Sequence, residues 1–369
     1  MTDRTPSNAM NLTLTSVQLP TTMGLDLSDR VSHYHVQRGD GVKLGAGKVG
    51  MTRAALSKLF QGWQGCRLVI EAGGHSAWIS RLGTECGLEV VVANPRRVEL
   101  ISKSDRKTDR KDAELLAELG RTNKDLLAPI QHRSKEAQAD LAVLRSRAEV
   151  VHMRTALINH MRGVLKAHGL RAPKVSAEVF GTRVVDSVPA ELAAALQPIL
   201  RLIAALNVEI KSYDKALEQI GAERYPVTQL LRQIAGVGPL VSLCFVLTLE
   251  DPARFTNTRA AGAYLGLVPR KRSSGDDNPQ LRITKAGDVM MRQLLVLAAA
   301  YILGPFGPDC DLRRFGFRLI GPGTDKRAKK RARVAVARKL AVLMLHLWRT
   351  GEAYDPLHLA KKHGEPLAV

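Results

Sequence analysis

The sequence predicts a βββαβαβα domain of the α/β class, then an antiparallel helical coiled-coil arm and a mainly helical C-terminal domain. Three observations carry this prediction. Between residues 21 and 93, short apolar and β-branched runs are separated by Gly and Asp turns and then alternate with helical patterns. Two long stretches, opening near Leu141 and Leu192, repeat apolar residues in steps of three and four. Beyond them, apolar helical segments broken by Gly-Pro turns lead into a basic helical run. The boundaries that follow are a flexible tail at 1–20, the α/β domain at 21–130, the arm at 131–222, the C-terminal domain at 223–350 and a tail at 351–369.

In order, TTMGLDLS (21–28), VSHYHVQ (31–37) and VKLGA (42–46) read as three strands of an antiparallel meander, split by Asp29-Arg30 and Gly39-Asp40-Gly41. A helix over about 52–61, the strand RLVIEA (67–72), a helix over about 75–86, the strand LEVVVA (88–93) and a helix opening at Asp109 complete the series. Alternation of strand and helix implies a parallel half-sheet covered by helices. The first heptad seam runs through Leu141, Leu144, Ala148, Val151, Thr155 and Ile158. Arg145, Arg147, Arg154, Arg162 and Lys166 lie off it, on a solvated face or a nucleic-acid face. The second seam runs from Leu192 to Ile220, with Pro198 kinking the helix or marking its start.

A chain of 369 residues with 45% hydrophobic and 24% charged residues has the composition of a folded protein with sizeable cores. The 55 Lys and Arg against 35 Asp and Glu give a net charge of +20, which favours a polyanionic partner, nucleic acid first. The longest uninterrupted apolar run, around Leu294 to Leu303, is half the ~20 residues of a spanning helix, so no membrane is expected. Cys66, Cys86, Cys244 and Cys310 have no metal or disulfide spacing and read as reduced thiols of a cytoplasmic protein. Only 4% of residues are aromatic, which turns expectation from stacked single strands toward phosphates and duplex shape.

Several basic features suit phosphate. The turn Gly236-Val237-Gly238-Pro239 between apolar helices, a helix-hairpin-helix-like motif, offers backbone N–H groups to a phosphate or serves as a tight αα corner. The loop-rich stretch 263–288 carries Arg270, Lys271, Arg272, Arg282 and Lys285, and KRAKKRARVAVARKL (326–340) carries eight Lys and Arg, among them Lys329, Lys330 and Arg331. GAGKVG (45–50) lacks P-loop spacing and excludes that nucleotide site. His33 and His35 share a strand face without a third ligand nearby and read as surface residues; His75 reads as a site residue, a cap or a core contact.

Four acids fall where chemistry needs them. Asp26 ends the first strand, Glu71 the fourth, and Asp109 and Asp112 sit three apart on the last helix, hence on one face. If strands one and four are neighbours, the four carboxylates converge, and their mutual repulsion is relieved by a divalent cation with hard oxygen ligands, Mg²⁺. Asp109 and Asp112 also suit a helix cap, so both readings stand. Lys103, Arg106, Lys107, Arg110 and Lys111 would hold a polyanion beside the site.

GLDLSD with Asp26, VIEAGG with Glu71 and KTDRKDA with Asp109 and Asp112 resemble the acidic motifs of DEDD transposases, the IS one-ten family of bacterial insertion sequences. IAGVGPLVSL, FTNTRAAGAYLGLVPRKRSSG and RITKAGDVMMRQLLVLAA resemble that family's C-terminal domain, and the likeness covers about residues 21–350. It implies an RNase H/RuvC-like catalytic domain and a serine nucleophile at Ser274, with Ser273 as the neighbouring choice. It also implies a homo-oligomer, dimer or tetramer, that acts on donor and target DNA at the bacterial nucleoid, guided by a structured non-coding bridge RNA. The alternatives are a RuvC-like junction endonuclease using water alone and a non-catalytic nucleic-acid-binding protein. The stretch LGPFGPDCDLRRFGFRLIGPGTD (303–325) has no assigned role.

Overall fold

The computed structural model describes residues 19–101, 108–270, 272, 281–322 and 325–364. The tail read at 1–20 lies almost wholly outside them. The chain divides into two units, Met1–Arg133 and Ser134–Val369.

In the first unit, β1 (Thr22–Asp26), β2 (Val31–Gln37) and β3 (Lys43–Gly50) form the antiparallel meander. Then come α1 (Arg53–Gln61), β4 (Arg67–Glu71), α2 (Ser76–Glu85), β5 (Glu89–Ala93), α3 (Pro95–Ile101) and α4 (Asp109–Thr122). The sheet order is β3-β2-β1-β4-β5, with β1, β4 and β5 parallel. This mixed five-stranded sheet is consistent with a RuvC-like domain. Strand β3 outruns its expected end at Ala46, continuing through Gly47 to Gly50, and both Gly45 and Gly47 are strand residues. A Cβ on Gly47 would come within 3.0 Å of the Tyr34 hydroxyl, and one on Gly45 would meet Trp63 at 3.4 Å.

The two sheet faces differ in what covers them. Met23, Leu25, Leu68 and Ile70 join Leu56 and Phe60 of α1 and Ile79 of α2 in one core. On the opposite face Val69, Val91 and Ala93 pack with Leu116 of α4 and with Leu127. Helix α4 buries Ala113, Leu116, Ala117 and Gly120, a stripe at one-turn spacing whose small members let it lie close on the strands.

The second unit is helical: α5 (Lys135–Ala167), α6 (Ala177–Val184), α7 (Ala190–Arg224), α8 (Val227–Leu231), α9 (Pro239–Leu249), α10 (Ala260–Tyr264), α11 (Val289–Ile302), α12 (Asp311–Ile320), α13 (Lys326–Thr350) and α14 (His358–His363). Helix α14 lies in the stretch read as a tail. Asp140 pairs with Arg224, Arg147 with Asp214 and Arg154 with Asn207, so α5 and α7 run antiparallel. Every position of the α7 seam is buried or half-buried, and α7 continues through Pro198 without a new start.

The α5 seam needs a correction. Thr155 is exposed, whereas Arg154, expected off the seam, is buried. Its guanidinium donates to Asn207 Oδ1 at 2.7 Å and to Glu178 at 3.4 Å, so polar partners from α7 and α6 pull the helix round to that register. Helix α7 is also apolar and long enough, by length and composition, to cross a bilayer, which a count of uninterrupted runs misses. Its Leu192, Leu196 and Ile203 pack instead with Ile158, Met161 and Phe180. The largest core joins α9, α11 and α13 with Leu141, Leu144 and Leu217 at one end of the long helices.

Candidate functional site

The register of β1 and β4 places the first two acids. Leu25 is paired with Ile70 in parallel, so Asp26 and Glu71 occupy the next position on neighbouring strands, where side chains emerge on the same face about 4.8 Å apart along the ladder. That is the α4 face, by alternation from Gly24 and Val69. Both acids are half-buried.

Helix α4 crosses β1 at very short range. A Cβ on Gly24 would lie 2.0 Å from the Ala113 carbonyl oxygen and 2.5 Å from the Ala117 nitrogen, so only glycine admits the helix. Further along, a Cβ on Gly120 would meet Val69 at 2.2 Å and Thr22 at 3.4 Å. The order Gly120 over Thr22, then Ala117 and Ala113 over Gly24, means the helix runs antiparallel to β1. Two further strand residues advance about 6.6 Å, as do four to five helix residues. Asp26 therefore falls beneath the first turn of α4, which carries Asp109 and Asp112.

An independent contact agrees with this. His33 is the β2 partner of Asp26, and its Nδ1 lies 3.6 Å from the Asp109 carboxylate. The expectation that His33 and His35 are surface residues is corrected: His35 is buried and His33 half-buried, because α4 covers their side of β2. The Nδ1 atoms of both rings are buried and make no hydrogen bond. Burial holds the His35 pKa below its ordinary value; nearby Lys43 and Arg110 push the same way and Glu114 opposes them.

Which group caps α4 is settled by geometry. The Thr108 hydroxyl accepts from Lys111 N, and the Thr108 carbonyl from Asp112 N at 3.0 Å. Asp109 is therefore the first helical residue rather than the cap, and its side chain is two-thirds exposed beside His33. Both carboxylates suit the positive helix end, which lowers the cost of gathering acids there. The far end of α4 is tied to the sheet by Arg67, which donates to the Gly120 carbonyl at 2.7 Å, and by Arg121, which donates to Gln37 Oε1 and to the Gly39 carbonyl.

The donor chemistry of four carboxylates fits a hard divalent cation. Among the described residues, however, no three His, Cys, Asp or Glu side chains approach closely enough to enclose a metal ion. Arg110 and Lys111 are exposed on the first turn of α4; Lys103, Arg106 and Lys107 lie outside the described residues. His75 begins α2 without capping it. Trp78 Nε1 donates to its Nδ1, so the remaining ring nitrogen carries the proton toward Asp29 at 3.3 Å, linking the loops that follow β1 and β4.

In the second unit, Gly236 adopts φ +83°, and a Cβ there would meet the Ala298 carbonyl at 3.0 Å. Gly238 stands at the N-cap of α9 with Pro239 first in the helix. Arg270 N donates to the Arg282 carbonyl and Thr284 N to the Val268 carbonyl, both at 2.9 Å, so the two arms of the basic loop close at its base. Arg270, Arg272, Arg282 and Lys285 are exposed around that closure. Lys271, Ser273 and Ser274 lie outside the described residues. Sequence reasoning missed Arg292, a buried side chain that donates to the Leu265 and Ala286 carbonyls and braces the same loop. Lys329, Lys330 and Arg331 are exposed on α13, opposite buried Ala328, Ala332 and Val336.

Residues 23–169 match the DEDD transposase family profile of the IS110 group, and residues 228–308 match the profile described as Transposase IS116/IS110/IS902 family. The transposase for insertion sequence element IS1111A of Coxiella burnetii is 30% identical over 297 residues, covering 79% of each chain. The chain belongs to this transposase family. Another relative of this transposase, that for insertion sequence element IS1328 of Yersinia enterocolitica, is 27% identical over 76% of this chain and 83% of its own. The first family match spans β1 through α5 and so contains all four acids.

Proposed function

We propose that this transposase cleaves and rejoins DNA strands with Mg²⁺ held by Asp26, Glu71, Asp109 and Asp112 and with Ser274 as nucleophile, guided by a structured non-coding RNA. The observation that carries the reading is the stacking of the first turn of α4 over the adjacent ends of β1 and β4, in a chain of this family. When bound, Mg²⁺ supplies positive charge that neutralises a phosphodiester and polarises its oxygens. The four carboxylates would hold the cation, with His33 beside Asp109. Arg110 and Lys111, with Lys107 before them, fix the flanking phosphates.

Ser274 acts on the phosphorus. Its oxygen forms a P–O bond while the bond to one strand oxygen breaks; the serine proton passes by way of solvent to the displaced strand oxygen, which leaves as a hydroxyl, giving a phosphoserine. Arg270, Lys271, Arg272, Arg282 and Lys285 offset the charge that builds there. Attack by a second strand hydroxyl reverses the bond changes and joins the new partner. The turn at Gly236 and Gly238 and the cations Lys329, Lys330 and Arg331 hold DNA and RNA backbones, and the α5–α7 pair assembles a dimer or tetramer.

The test incubates the protein, the non-coding RNA that flanks its coding region and paired DNA sites with Mg²⁺. Strand exchange and a denaturation-resistant protein–DNA adduct are expected. Ser274→Ala abolishes the adduct and Asp109→Asn abolishes cleavage; intact cleavage by both variants overturns the reading.

A further inference from the structure

The connection between α11 and α12, to which the sequence assigns no role, is built as a rigid turn with an aromatic ring at its tip. Gly307 N donates to the Gly304 carbonyl at 3.3 Å, with Pro305 and Phe306 in the two central positions. Proline fixes the first of these torsions, and Pro308 stiffens the exit. Arg313 reaches back from α12 and donates to the Ile302 carbonyl at 2.5 Å and the Gly304 carbonyl at 2.6 Å. A Cβ on Gly307 would lie 2.2 Å from the Ile302 oxygen, so the turn closes tightly on its own stem. Arg314 grips Asp309 through two guanidinium nitrogens, at 2.6–3.1 Å.

All this order presents an exposed ring. Phe306 is 84% exposed, more than any other large hydrophobic side chain among the described residues, whereas Phe60, Phe180 and Phe245 are core residues. Its neighbours in the turn are glycines and prolines, so it stands at the tip, beyond the less exposed Leu297 and Tyr301 of α11 and Phe317 and Leu319 of α12. The stem leads to nucleic-acid features on both sides. Tyr301, at the end of α11, lies against Gly236 of the GVGP turn, and α12 packs on α13, which exposes Lys329, Lys330 and Arg331.

We propose that Phe306 is a wedge that inserts between base pairs of the DNA duplex bound by this transposase. A strongly exposed aromatic ring at the tip of a preorganised turn, in a protein of net charge +20, suits partial unstacking of a duplex whose phosphates are held by cations nearby. The proposal rests on the reading of DNA as the partner, but on neither Ser274 chemistry, nor Mg²⁺, nor a guide RNA.

The experiment uses the full chain and a labelled 20-base-pair duplex in EDTA and low salt. Fluorescence anisotropy measures binding for the wild type, Phe306→Ala and Phe306→Trp, and the wild-type signal from the native tryptophans is subtracted from that of Phe306→Trp. The indole at 306 is expected to be quenched and shielded from acrylamide only when the duplex is bound. Phe306→Ala is expected to bind several-fold more weakly with an unchanged salt slope, because the phosphate contacts remain. An indole equally accessible with and without bound duplex overturns the proposal, as does wild-type affinity in Phe306→Ala. Shielding that grows with protein concentration in the absence of DNA overturns it in favour of a second copy of the chain. Failure of the wild type to bind any duplex is read separately in the anisotropy and removes the DNA reading together with the wedge.

Discussion

Replacing Gly24 by alanine tests the geometry of the acidic site without touching an acid. The added methyl would stand 2.0 Å from the Ala113 carbonyl oxygen and 2.5 Å from the Ala117 nitrogen, both backbone atoms of α4 that cannot rotate away. Ordinary contact needs about 3.4 Å or more, so the helix must lift by roughly 1 Å or more, or the strand must bend. Overpacking of this kind costs about 1–3 kcal/mol. Lifting α4 also draws Asp109 and Asp112 away from Asp26 and Glu71, and misplacement by about 1 Å can lower a rate by roughly 100-fold. Denaturant titration gives the stability, and strand cleavage with Mg²⁺ gives the activity. The same substitution at Gly163, an exposed interior position of α5 with open space around its Cβ, is expected to stabilise by about 0.5–1 kcal/mol through helix propensity. Gly24→Ala with wild-type stability and cleavage, or a loss equalled by Gly163→Ala, would refute the close crossing.

Other perturbations probe separate parts of the chain. Arg154→Ala removes a buried guanidinium that ties α5 to Asn207 and Glu178, and a loss of about 2–4 kcal/mol is expected in chemical unfolding. Replacing Lys329, Lys330 and Arg331 together by alanine should flatten the dependence of log affinity on log salt by about 2–3 if each meets a phosphate, while leaving unfolding almost unchanged. His35 gives a pH signature. Its folded pKa lies below the ordinary 6.5, so as pH falls past that value the unfolded chain takes up the proton first and stability drops. The decline in unfolding free energy between about pH 7.5 and 5.5 should be shallower in His35→Gln than in the wild type.

Much of the first unit was legible because its signals are local. GLDLSD and VIEAGG are apolar strands that each end on an acid, while the strand order that makes Asp26 and Glu71 neighbours, a condition in the sequence reading, is supplied by the sheet itself. Helix α3 was missed although its start is written in Asn94-Pro95: the Asn94 side chain accepts from Arg96 N, and proline suits the first helical position. His33 and His35 were misread because burial on β2 is decided by a helix more than 70 residues away in sequence. Their partnership with Asp26 and Gly24 was implicit in the meander, since residues opposite one another share a face. Arg154 was misplaced because seam spacing alone cannot say when a buried cation with two partners displaces a threonine. Ser274 was named by resemblance, as no spacing of its own distinguishes it from a turn serine.

The position of the acids depends on residues that are not acids. Gly24 and Gly120 set how close α4 approaches the sheet, Arg67 and Arg121 anchor its far end, and Thr108 caps its near end. None of these needs the carboxylates for its own contact. Amide replacements of Asp26, Glu71, Asp109 or Asp112 should therefore leave the fold in place, relief of charge repulsion offsetting the loss of each acid's own contacts. A residue retained for the fold would behave in the opposite way, losing stability when neutralised. Unfolding curves of the four amide variants, taken in EDTA and again with Mg²⁺, distinguish the two. Equal or higher stability in EDTA, with the stabilising effect of Mg²⁺ lost, is expected of ligands; a loss in EDTA of the size that removing a cap causes, about 1 kcal/mol, would make the acids structural.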